Sequence, residues 1–196
     1  MTGNDTVVAD RHHCDEDQDC ESGSCQTIAD KPGATRYCVA EPNRGHYACA
    51  DVPESEGGCC EDTDCQADEF AGYCVTSSVG YCGGMRPPEA NGCRYDECQT
   101  DDDCGAEAIC APAGYPHAGH STNHCVFAKC SVDGDCTSRS GGQCNPLYSA
   151  PDCYGVLGFI CTYDDAACRG SDDCPTGQVC IADGDSVTCM APQPVG

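Results

Sequence analysis

The sequence predicts a small disulfide-rich fold: an elongated tandem array of about five cysteine-rich repeats, each a short capped turn followed by a small β-hairpin, with little regular secondary structure. Three observations predict it. The chain has 24 cysteines in 196 residues, a share at which a disulfide scaffold is the default reading. It has 2 Leu, 4 Ile, 12 Val, 3 Phe and no Trp. Burying a large aliphatic side chain contributes roughly 1.5–3 kcal/mol, whereas ordering one residue costs about 1–2 kcal/mol in backbone entropy. So few apolar groups cannot order a chain of this length unaided. The third observation is that the cysteines are periodic, the mark of a repeat architecture.

A Cys-x5-Cys unit occurs five times: Cys14/Cys20, Cys59/Cys65, Cys98/Cys104, Cys130/Cys136 and Cys168/Cys174. A third cysteine follows each unit, at Cys25, Cys74, Cys110, Cys144 and Cys180. A fourth is assigned to Cys38, Cys82, Cys125, Cys153 or Cys161, and Cys189. That leaves Cys49, Cys60, Cys93 and one of Cys153/Cys161 as extra staples. The resulting division is a tail over 1–13 and repeats over 14–58, 59–97, 98–129, 130–167 and 168–196, the last including the C-terminal tail. Four cysteines allow three pairings; the preferred one is interleaved, first to third and second to fourth. Short links such as Arg94–Glu97 and Val126–Lys129 favour packing of each repeat on its neighbours.

The first loop of each repeat carries a shared pattern, Cys-x-x-[Asp/Ser]-x-Asp-Cys. Its first position holds Asp17, Asp62, Asp101, Asp133 and Ser171; its second holds Asp19, Asp64, Asp103, Asp135 and Asp173. Two chemistries compete for these carboxylates. As helix caps, the first accepts a backbone N–H two or three residues on and the second sits in the first turn, where negative charge is favoured. As calcium ligands, Asp101, Asp103, Asp133 and Asp135 offer the oxygens a hard cation needs. Ser171 favours capping, because serine caps well and ligates calcium poorly. Between the third and fourth cysteines, Asp-Gly in Ile181–Thr188 and Pro-Gly in Gln26–Tyr37 mark hairpin turns.

The density of this pattern, clearest in Cys168–Cys180 and Cys98–Cys110, resembles the Dickkopf N-terminal cysteine-rich module. It also resembles the tandem cysteine-rich repeats of bacterial surface and secreted proteins. The resemblance implies an extracellular recognition or structural module. Dickkopf proteins join one such module to a different second domain, so their receptor binding is not carried over.

Disulfides place the protein outside the cell or on its surface, and the chain is read as a mature one whose leader is absent: Met1–Asp10 has no apolar h-region. No apolar run is long enough to span a membrane. With 33 acidic and 9 basic residues the net charge is −24, and the missing basic stripe excludes nucleic acid. No catalytic motif is present, which points away from an enzyme. No cofactor is required, and the partner is a protein, a surface ligand or a second copy of the chain. The expected role is adhesion, recognition or building a surface assembly. Its alternative is metal binding, by calcium at the aspartates or by a transition metal at His117, His120 and His124, three imidazoles in one loop of repeat 3. The dense apolar segment Tyr154–Tyr163 is either the local core of repeat 4 or a partner contact through Val156, Leu157, Phe159 and Ile160.

Overall fold

The computed structural model describes residues 6–8, 14–48, 58–66, 70–76, 90–115, 120–149, 156–183 and 186–191. Within them each repeat is a one-turn 3-10 segment followed by an antiparallel hairpin, and no α-helix occurs among the described residues. The turns are Asp17–Asp19, Asp62–Asp64, Asp101–Cys104, Asp133–Asp135 and Ser171–Asp173. The hairpins are β2 (Ser24–Thr27) with β3 (Arg36–Val39), β4 (Gly72–Thr76) with β5 (Asn91–Tyr95), and β6 (Ala108–Ala111) with β7 (His124–Ala128). They continue with β8 (Gln143–Ser149) and β9 (Val156–Thr162), then β10 (Val179–Asp183) and β11 (Ser186–Met190). A short β1 (Thr6–Val8) precedes them all.

The register explains the bridges. Within each hairpin the third and fourth cysteines lie directly opposite: Cys25↔Cys38, Cys74↔Cys93, Cys110↔Cys125, Cys144↔Cys161 and Cys180↔Cys189. Opposed residues share one face of a sheet, so both thiols point at the same side. The turn lies over that side and supplies a partner to each strand. The bridges are Cys14–Cys25 and Cys20–Cys38, Cys59–Cys74 and Cys65–Cys93, Cys98–Cys110 and Cys104–Cys125. The last two repeats hold Cys130–Cys144 with Cys136–Cys161, and Cys168–Cys180 with Cys174–Cys189. This is the interleaved order in all five. One assignment is corrected: the fourth cysteine of repeat 2 is Cys93, not Cys82, because the register of β4 with β5 sets Cys93 opposite Cys74. Repeat 4 closes on Cys161. Cys60 is also disulfide-bonded; Cys49, Cys82 and Cys153 lie outside the described residues.

Hairpins 3, 4 and 5 merge with β1 into a seven-stranded sheet in the order β11-β10-β1-β8-β9-β7-β6. Strands β7 and β9 run parallel, Phe127↔Gly158 and Ala128↔Phe159, with Lys129 N–H donating to the Phe159 carbonyl at 2.9 Å. Gly158 is what lets the two strands meet, since a Cβ there would lie 2.4 Å from the Phe127 carbonyl oxygen.

Repeat 1 departs from neighbour-to-neighbour packing and lies against repeats 3 and 4. One core cluster takes Ile28, Ala29, Tyr37 and Val39 from repeat 1, Ile109, Ala111, Tyr115 and Val126 from repeat 3, and Phe159 and Tyr163 from repeat 4. The Tyr37 ring meets Tyr115 and Phe159 edge-on at 5.8 and 6.2 Å between centroids, and Tyr115 stacks on Phe159 at 6.4 Å. Ala40 N–H donates to the Gly114 carbonyl, and Gly114 (φ +87°) faces the Ala40 oxygen where a Cβ would clash at 1.9 Å. A second cluster joins Leu147 and Ile160 to Cys168 and Cys180. Among the described residues the cluster in repeat 2 is cystine, Cys59, Cys65 and Cys74 against Cys93.

Candidate functional site

The two aspartates of the repeated pattern divide their work differently from the sequence expectation. The second one is the cap. Its carboxylate receives the backbone N–H groups three and four residues back: Asp19 from Glu16 and Asp15, Asp64 from Glu61 and Cys60, Asp103 from Thr100 and Gln99, Asp135 from Val132 and Ser131. In repeat 5, Asp173 receives Arg169 N–H. The first aspartate is no cap. Asp17, Asp62, Asp101 and Asp133 each receive the N–H of the third cysteine, Cys25, Cys74, Cys110 and Cys144, at 2.8–2.9 Å. The opposed cysteines do not bond each other's backbone, so these N–H groups point out of the hairpin. The carboxylate therefore closes the open edge of each first strand, which an unpaired sheet edge otherwise exposes to association.

Two of these groups reach beyond their own repeat. Asp101 also receives Asp30 N–H at 2.9 Å, and Asp135 pairs with Lys31 at 3.0 Å. The hairpin loop of repeat 1 is thereby fixed to the turns of repeats 3 and 4. Both carboxylate oxygens of Asp101 and Asp135, and one oxygen each of Asp103 and Asp133, already receive N–H donors in this arrangement.

Donated N–H groups hold the carboxyls of Asp19, Asp103 and Asp135 below the usual carboxylate range, chiefly those of Glu16, Gln99 and Ser131 respectively. A carboxyl lowered in the folded state binds fewer protons there than in the unfolded chain at acid pH. Its stabilisation is full above about pH 3.9, the unfolded value, and is lost as pH falls through the folded value. The melting temperature should therefore fall below about pH 4, and Asp103→Asn should reduce that fall while lowering the plateau. Asp101→Ala, which strands two N–H groups, should cost about 1–3 kcal/mol in urea unfolding at neutral pH. Millimolar calcium should leave both variants and the parent unchanged. A calcium-dependent rise that Asp101→Ala removes would reverse the assignment.

Of the histidines, His117 lies outside the described residues. The rings of His120 and His124 stack with centroids 4.4 Å apart and planes 20° apart. Imidazole lone pairs lie in the ring plane, so nearly parallel rings aim theirs past one another and not at one ion. In each repeat three bridge sulfurs also gather within 4.8 Å, for example Cys59, Cys65 and Cys74. They are disulfide sulfurs, and a metal needs thiolate.

Within the apolar segment, the described side chains Phe159, Ile160 and Tyr163 are core. Phe159 and Ile160 are 2 and 6 % exposed, which corrects their reading as a partner contact: parallel pairing of β9 with β7 turns Phe159 into the cluster shared by repeats 1, 3 and 4, and Ile160 faces repeat 5. Val156 and Leu157 belong to β9; their side chains lie outside the described set. A shallow cleft of about 130 Å³ is lined by residues including Arg139, Tyr163, Asp165 and Val187, below the roughly 300 Å³ at which small-molecule sites begin. Arg139 lies over the Tyr163 ring and pairs with Asp165, which occupies that cleft's polar groups with each other.

No family model, curated protein or solved structure matches this chain. Its chemistry must be read from its own surface.

Two features went unread in the sequence. The strap over residues 41–48 ties repeats 1, 2 and 3 together: Arg44 lies 3.6 Å over the Tyr73 ring and donates to the Ser121 carbonyl, and Tyr47 exchanges hydrogen bonds with buried Asn91. Buried Asp96 receives Asn123 N–H at 2.8 Å and the Tyr73 hydroxyl. The second feature is exposure: Tyr47, Tyr95, Phe127 and Met190 stand 40–45 % exposed. In β7, buried Val126 and exposed Phe127 alternate as strand neighbours must, which puts the Phe127 ring on the outer face of the large sheet.

Proposed function

We propose that this is a non-catalytic extracellular or cell-surface protein that works in recognition, adhesion or as a subunit of a surface assembly. Cystine-held hairpins give it a rigid body suited to an oxidising environment. The observation that carries the reading is the set of large apolar side chains displayed on those hairpins, Tyr95 on β5, Phe127 on β7 and Met190 on β11. A chain this poor in apolar residues leaves them out of its own cores. Rigid aromatic groups are the residue types that dominate contact energy, because they bury much area at little entropic cost. The high negative charge opposes casual association, so that contact needs a fitted partner surface.

The test is fractionation and binding. The native chain should be found outside the cytoplasm with no alkylatable thiol, and should bind cell-envelope material of its producer. Tyr95→Ser combined with Phe127→Ser should weaken that binding about fivefold or more, equivalent to about 1 kcal/mol, with the disulfide map unchanged. A cytoplasmic, thiol-rich chain, or undiminished binding by the double variant, would overturn the proposal.

A further inference from the structure

The edges of the large sheet point to a second kind of contact. In repeats 1 to 4 the outward N–H of the third cysteine is closed by an aspartate of its own repeat. Repeat 5 has Ser171 at that position, and there the edge of β10 is taken by a strand: Val7 of β1 pairs with Ile181. The opposite side of β1 pairs with the far end of β8, Thr6↔Ser149, Val7↔Tyr148 and Val8↔Leu147. The near end of β8 is closed otherwise. Asp133 receives Cys144 N–H, and Pro146, the next residue facing outward, has no N–H to expose. Strands β8 and β10 are not hydrogen-bonded neighbours in the sheet; β1 lies between them. The edges of β8 and β10 thus form a slot, and Thr6–Val8 fill it.

We propose that this slot is a strand acceptor and that it takes Thr6–Val8 of a second copy, so that the protein assembles by exchange of strand β1. The inference rests on the surface-assembly reading above. The slot already holds this strand in cis. Every copy carries the fitting strand, antiparallel to both edges with a set register. That strand contains no cysteine, and only residues 9–13 separate it from Cys14, the first bridged residue. No disulfide within residues 1–13 holds it in place, and in trans it makes the same backbone bonds as in cis. Donor and acceptor are different surfaces of one chain, so exchange either closes reciprocally or propagates head to tail. The −24 charge opposes it at low ionic strength, and salt relieves the opposition.

The experiment uses the intact, oxidised chain. Concentrated protein is held in intermediate urea with about 0.5 M salt, returned to buffer, and sized by light scattering. The parent should yield dimers and larger species, and Val7→Pro about tenfold less or lower, because proline in a strand paired on both sides removes a ladder bond and clashes. A labelled peptide of residues 1–13 should bind Val7→Pro protein, and the same peptide carrying Val7→Pro should not. If Val7→Pro loses the parent's disulfide map, the peptide is instead exchanged into the parent during the urea step, and incorporation supports the slot. Equal oligomers from parent and Val7→Pro, or a strictly monomeric parent that takes up no peptide, overturn strand exchange. A monomeric parent that still binds envelope material through Tyr95 and Phe127 overturns the exchange alone. Strand exchange with no envelope binding overturns the adhesive contact alone.

Discussion

Reduction of the bridges should abolish cooperative folding altogether. The described loops span 11 to 28 residues, so each bridge contributes about 2.8–3.6 kcal/mol by restricting the unfolded chain. Ten such terms exceed the 5–15 kcal/mol net stability of ordinary domains even if they add poorly. Little else could replace them: among the described residues, the core cluster of repeat 2 contains no side chain but cystine. Treatment with a phosphine should collapse amide dispersion and remove the thermal transition. A graded version isolates one repeat. Changing both Cys65 and Cys93 to Ser should destabilise repeat 2 by about 3.6 kcal/mol and leave the sheet of repeats 3 to 5 protected from hydrogen exchange. A melting transition that survives full reduction would show that apolar packing carries the fold.

The framework was legible because disulfide chemistry leaves a periodic trace. Five Cys-x5-Cys units announced five repeats, and their interleaved pairing follows once two opposed thiols face a single turn. The fourth cysteine of repeat 2 was not legible, since hairpin loop length is free and spacing alone cannot choose Cys93 over Cys82. The aspartates were visible as a pattern but not in their roles. Asp101 meets Cys110 N–H only after the bridges have laid turn against strand, a contact that no local capping rule contains. The His120–His124 spacing was equally visible, whereas ring orientation is a tertiary fact. Strand β1 left almost no trace, because Thr6-Val7-Val8 is too short to show a period. The junction of repeats 1, 3 and 4 was hidden for another reason. Repeats 1 and 3 contribute one aromatic ring each and repeat 4 two, and an isolated Tyr announces no partner.

That junction carries the second large effect. Phe159→Ala should cost about 3–5 kcal/mol, the range for removing a buried aromatic ring. Phe159 is 2 % exposed and touches both Tyr37 and Tyr115, so the loss includes two ring contacts worth about 0.5–1.5 kcal/mol each beyond burial. The polar contacts across the same junction cannot compensate. The Lys31–Asp135 pair has side chains 49 and 30 % exposed, and exposed pairs contribute about 1 kcal/mol or less. The damage should be directional. Bridges Cys14–Cys25 and Cys20–Cys38 keep hairpin 1 intact within itself, so the variant should release repeat 1 as a unit instead of unfolding it. Hydrogen exchange should quicken at Ala40 N–H, which donates to Gly114, and at Asp30 N–H, which donates to Asp101, while the internal pairs of β2 with β3 stay slow. Phe127→Ala provides the control, since its ring is 42 % exposed and such surface changes stay within about 0.5 kcal/mol. A Phe159→Ala cost no larger than that of Phe127→Ala would mean that the shared aromatic cluster does not hold repeat 1 in place.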